Sequence, residues 1–193
     1  MVKVMFELLN KARKLEKYNY YHFFSDSCYL VKSLNDFYKF FKGNNSYLSY
    51  GLNKLSFYRN QSYALYWGSQ WMTLHKDIVN KLLNYKYLLT KYEKEINNGT
   101  IAIRAGAYDE HIIQNIIISD ICNGNPKKYN VENRDIRYIR WKNCSKKYCP
   151  NYLNINNVNE EEINKIKNNF LIIRKIDYKD SKSLELLKLL RGF

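Results

Sequence analysis

The stretch "GAYDEHIIQNIIIS", residues 106–119, decides how the chain is read. A glycine is followed by Asp109, Glu110 and His111, and then by an almost wholly aliphatic run. Acids at the head of such a run offset the positive end of a helix, an effect worth about 0.3–1 kcal/mol. The same placement suits a catalytic carboxylate held at the mouth of a pocket. The run itself reads as a buried helix, although a β-branched segment of that length also fits a strand. His111 has no second histidine near it in sequence and reads as a hydrogen-bonded neighbour rather than a metal ligand.

Outward from this motif the chain keeps an α/β rhythm. Val4, Leu8, Ala12 and Leu15 recur at helical spacing and predict an amphipathic helix over 2–17. "YNYYHFFS" reads as a buried strand ending at Ser25. "SLNDFYKFFKG" offers Ser33 as N-cap, Asp36 as a capping-box-like acid and Gly43 as a stop. Residues 47–74 are aromatic and short-segmented, as strands and loops are. One long helix is expected over 76–97, with Ile78, Leu82, Tyr85 and Leu89 as its stripe. Residues 122–133 read as a polar loop and "DIRYIRW" as a strand running into Trp141. A helix near 159–169, a strand "FLIIRKI" and a helix over "SLELLKLLRG" complete the chain. With two prolines and no Gly/Ser-rich linker, a single domain over 1–193 is expected.

Hydrophobic residues make up 46% of the 193, enough for a packed core. The net charge of +14 would suit an anionic partner. Lys, Asn, Ile and Tyr are abundant together, however, as in AT-rich coding, and the lysines are scattered rather than blocked. Nucleic-acid binding is therefore a lesser reading. No signal peptide or membrane-length apolar run is apparent, so the chain reads as cytoplasmic, with membrane association only in a longer form. Cys28, Cys122, Cys144 and Cys149 form no C-x-x-C pair and read as reduced thiols, with a Cys144–Cys149 disulfide open if the protein is exported.

Two further constellations carry chemistry. "WGSQWMTLHKDIV", residues 67–79, sets two tryptophans around Gly-Ser-Gln. Both could be core anchors, and Trp71 reads as core. Alternatively, flat aromatic faces stack on sugar C–H faces while Ser69 and Gln70 bond the hydroxyls. "IIRKID" ends an apolar strand with Arg174 and Lys175, either a solvated strand end or a cation pair for a diphosphate. There is no Gly-rich phosphate loop and no D-x-D to hold a divalent metal, so a nucleotide diphosphate would need basic side chains.

Taken together, these segments resemble the core-2/I-branching β-1,6-N-acetylglucosaminyltransferases and their xylosyltransferase-like relatives. "FFSDSCYLVKSLNDFYKFF" is similar to the family's strand-loop "L-S-x-S-C/D-x-P-L-K-S" and the helix after it. "GSQWMTLHKDIV", a helix and then "YDEHIIQNIIIS" match Gly-Ser-Gln-Trp, a helix and an Asp-Glu helix start. "IRYIRW" and "FLIIRKID" resemble "R-Y-I-D-W" and "L-F-A-R-K-F" in the same order. The resemblance spans residues 1 to 176. It implies a GT-A-like α/β fold, a mixed sheet flanked by helices, that lacks part of the N-terminal nucleotide-binding half. It implies an inverting, metal-independent transferase that takes a UDP-sugar donor and a glycan or glycoprotein acceptor, with no cofactor. Glu110 falls on the catalytic base, with Asp109 its supporting neighbour on the sugar side. Trp141 falls on the acceptor-side tryptophan, and Lys175, beside Arg174, on a diphosphate cation. Asp26, Cys28 and Leu30 depart from the Gly, acid and Pro of many members. Lys146 or Lys147 are candidates for a second diphosphate cation. A non-catalytic carbohydrate-binding remnant of the same fold is the nearest rival.

Overall fold

The computed structural model describes residues 2–15, 17–53, 65–98, 110–144 and 147–192. In chain order the first elements are α1 (Val2–Arg13), β1 (Tyr20–His22), β2 (Cys28–Leu30) and α2 (Leu34–Phe40). Next come β3 (Ser46–Leu48), β4 (Tyr50–Asn53), β5 (Leu65–Gly68), β6 (Thr73–His75), α3 (Lys76–Asn84) and α4 (Tyr87–Asn97). A short α5 (Ile112–Asn115) runs into a π-helical turn, Ile116–Ile121. After a 3-10 turn at Pro126–Tyr129 follow β7 (Val131–Asn133), β8 (Arg137–Ile139), β9 (Trp141–Cys144) and β10 (Lys147–Pro150). The last are α6 (Glu160–Asn169), β11 (Ile172–Arg174) and α7 (Ser181–Arg191). The architecture is mixed α/β, small sheets flanked by helices.

Two compact units result. The first comprises Met1–Phe23 and Asn44–Arg134. Its four-stranded sheet has the order β1-β6-β3-β7, antiparallel except for the β3–β7 pair. β4 and β5 form a separate antiparallel ribbon. α1 packs on α3, and the core joins Phe6, Leu74, Leu82, Ile113 and Ile117. The expected α1 face is corrected here. Val4, Leu8 and Leu15 are more than half exposed, while Val2, Met5, Phe6 and Leu9 are buried. Apolar residues occupy both phases of this helix, and the phase that carries Phe6 buries the larger ring.

The single helix expected over 76–97 is two. The Tyr85 N–H is shared between the Lys81 and Leu82 carbonyls, and Lys86, Leu88 and Leu89 then bond three residues back. The ladder tightens for one turn and restarts as α4. The run after Glu110 is helical and wholly buried from Ile112 to Ile118, which settles the helix–strand alternative. It stops where Asn123 and Gly124 adopt left-handed backbone, φ 47° and 71°. The expected polar loop contains β7, which pairs with β3 although Val131 is its only fully buried residue.

The second unit comprises Phe24–Gly43 and Asp135–Phe193. β11 is the middle strand of β2-β11-β8, antiparallel to β2 and parallel to β8. Its apolar run is buried among Val31, Leu153, Ile166 and Leu186, which explains a nearly continuous "FLII". Ser33 caps α2 as expected: its Oγ accepts from the Asp36 N–H at 3.1 Å and donates to the Asp36 carboxylate. Asn159 caps α6 by accepting from the Glu162 N–H at 2.8 Å.

Candidate active site

Glu110 is half-buried and stands on a short turn immediately before α5. Asp109 lies outside the described residues. What fixes Glu110 is the helix behind it, and that helix is fastened by two buried amides. The Asn115 side chain donates to the Tyr66 carbonyl at 2.7 Å and to the His111 carbonyl at 2.7 Å, and it accepts from the Tyr66 N–H at 3.0 Å. The Gln114 amide donates to the Ser69 carbonyl at 2.9 Å. These bonds tie the segment after Glu110 to β5 and to the Gly-Ser-Gln-Trp loop. The first unit thus brings Glu110's helix, Ser69 and Gln70 onto one bonded frame.

The loop's own geometry explains its residues. Gly68 faces Tyr50 across the ribbon, and a Cβ there would fall 1.8 Å from the Ser49 carbonyl oxygen. Only glycine fits. Ser69 Oγ accepts the Trp71 backbone N–H at 3.1 Å, closing a turn that leaves Ser69 and Gln70 half-exposed. Trp71 is half-buried rather than core, and Met72 fills the buried position beside it. His111 is buried.

The second unit holds Trp141, Arg174 and Lys175. Trp141 opens β9 and is 52% exposed, an indole available to solvent. Arg174 ends β11, opposite Cys28 on one side and Ile139 on the other. Lys175 follows it, its ammonium 4.4 Å from the centre of the Tyr152 ring, and its carbonyl accepts the Leu153 N–H at 2.8 Å. Tyr152 thus holds a candidate diphosphate cation at a defined place. Lys146 and the side chain of Lys147 lie outside what is described.

Arg137, from "IRYIRW", is a buried cation that sequence reading passed over. Burial pushes its guanidinium below the usual range, and the Cys28 thiol and Asp135 carboxylate beside it oppose that shift. Burial likewise raises Asp135, with the Arg137 backbone N–H and charge acting against it. Arg140 forms an ion pair with Glu162, to which Tyr138 also donates. The Tyr138 hydroxyl is pushed up to about 12, first by burial and then by that carboxylate. Among the described residues no three His, Cys, Asp or Glu side chains group closely enough to hold a metal ion.

A half-buried carboxylate on a fixed helix start can accept a proton. An exposed indole can stack on a sugar, and an Arg-Lys strand end can bind a phosphate. The family model described as Core-2/I-Branching enzyme matches residues 1–167, and the chain belongs to that family. The family is one of glycosyltransferases, which implies a sugar donor and a glycan acceptor. No curated protein matches the chain. No described helix is long and apolar enough to cross a membrane.

Proposed function

We propose that the chain is an inverting, metal-independent glycosyltransferase of GT-A type. It transfers N-acetylglucosamine or xylose from a UDP-sugar to a glycan or protein hydroxyl. The observation that carries this reading is the fastening of Glu110's helix to β5 by Asn115 and to the Gly-Ser-Gln-Trp loop by Gln114, within a chain matched to the family over residues 1–167.

Glu110 is the general base. Its carboxylate takes the acceptor hydroxyl proton as that oxygen attacks the anomeric carbon. The bond from that carbon to the diphosphate oxygen breaks on the opposite face, and UDP leaves with the electron pair. Inversion follows from this in-line exchange. Arg174 and Lys175 supply positive charge to the departing diphosphate, the task a metal performs where a D-x-D is present. Ser69, Gln70 and Trp141 serve the sugars, and Asp109 supports Glu110.

Release of UDP from UDP-N-acetylglucosamine and from UDP-xylose, with a panel of glycan acceptors and with or without EDTA, tests the reading. Acceptor-dependent release that survives EDTA is the expected result. Release abolished by EDTA would remove metal independence, and no release with any pair would favour a non-catalytic carbohydrate-binding protein.

A further inference from the structure

Trp67 has no part in the scheme above, yet its setting is unusual. It lies on β5 directly before Gly68 and faces Gly51 of β4 across the ribbon. The indole lies over that glycine: a Cβ on Gly51 would come 3.2 Å from Nε1, 3.5 Å from Cε2 and 3.7 Å from Cζ2 of Trp67. Gly51 therefore lets the ring rest against the neighbouring strand. Trp67 nevertheless remains 50% exposed. The opposite side of the ribbon is different, since Tyr50 and Tyr66 meet edge to face and pack against the core.

We infer that Trp67, laid over Gly51, is a stacking platform for a pyranose ring of the acceptor glycan. The inference rests on the proposed transferase function. A single exposed apolar side chain would by itself require no explanation. Trp67 differs in its support and its place. Its strand neighbour Tyr66 is held at both N–H and carbonyl by Asn115, and Ser69, two residues on, is held by Gln114. The platform is therefore built on the frame that carries Glu110. Glu110 lies five residues before Asn115, on the turn that leads into α5. The ring's electron-rich face attracts the weakly positive C–H groups on one side of a pyranose, while the half-exposed Ser69 and Gln70 offer hydroxyl and amide groups to its edge. A flat, rigid ring loses little entropy on binding, which suits a glycan better than a flexible aliphatic chain would.

The chain has three tryptophans, so an NMR spectrum of indole N–H groups contains three such signals, and Trp67→Phe identifies one of them. Methyl β-galactoside, methyl β-N-acetylglucosaminide and lactose are then titrated through the millimolar range into the full chain. The Trp67 signal should move and saturate. Gly51→Val keeps the indole but pushes it off the strand, and a β-branched residue suits the ribbon. It should weaken sugar binding about three- to tenfold, the scale of one aromatic contact, without lowering the melting temperature. In acceptor kinetics Trp67→Ala should raise acceptor KM by the same factor and leave donor KM unchanged. UDP release with a silent Trp67 signal overturns the platform and leaves the transferase reading standing. A saturable Trp67 shift without any turnover supports the platform and overturns the transferase. Sugar that moves only the Trp141 or Trp71 signal also overturns it.

Discussion

Lys175 and His75 show how differently one side chain can be placed by its neighbours. Lys175 has its ammonium over Tyr152, a contact that sequence spacing does not announce, because it joins residues on separate segments. If it grips the diphosphate, Lys175→Ala should weaken UDP binding about tenfold or more, as loss of a charged hydrogen bond does. Lys165→Ala, the same loss of charge from an exposed site on α6, should leave it unchanged. Calorimetry with UDP separates the two, and equal losses would reduce Lys175 to general charge. His75 is buried and caps α3, its Nδ1 accepting from the Asp77 N–H at 3.4 Å. Burial holds its imidazole below the ordinary 6.5, while the Asp77 carboxylate pulls it back up. Between the folded and unfolded values the unfolded chain binds more protons, so stability rises with pH there. The contribution is complete above about pH 6.5 and is lost as pH falls through the lower, folded value. Melting temperature should accordingly drop more steeply below that pH in the wild type than in His75→Asn. Parallel curves would show that His75 does not titrate on unfolding.

At the level of elements, α1 and α5 are read with different success for physical reasons. Six of the ten residues from Ile112 to Ile121 are isoleucine, so burial was legible whichever secondary structure formed. In α1 two apolar stripes compete, and only packing on α3 chooses between them. Phe6→Ala should therefore cost about 3–5 kcal/mol, and Leu8→Ala less than about 0.5 kcal/mol, in urea unfolding. A reversal would put the other face inward. The break between α3 and α4 carries no glycine or proline and had no local signal. Asn115 was equally silent, one amide in an Asn-rich chain, although it makes three hydrogen bonds. Asn115→Ala leaves the Tyr66 N–H and carbonyl without their side-chain partner and should cost about 1–3 kcal/mol. It should also lower transfer by loosening the frame behind Glu110. A variant of wild-type stability and activity would show that the frame does not need this amide.

For the molecule as a whole, the α/β class and the family were legible because they rest on ordered motifs. Gly-Ser-Gln-Trp, the Asp-Glu pair ahead of an aliphatic run and the Arg-Lys pair after "FLII" are each short and distinctive. Gly68 gives one such motif a steric reason: no side chain fits beneath the Ser49 carbonyl. The sheet pairings were less legible, since most strands are three or four residues long and carry little periodicity. The account turns on Glu110 as the base rather than as a helix-end acid. Glu110→Gln keeps the shape of the side chain and cannot take a proton. UDP release with a working acceptor should fall about 10²- to 10⁴-fold, while UDP affinity and melting temperature stay at wild-type values. Wild-type turnover by Glu110→Gln, or an equal loss of stability and rate, would contradict the account.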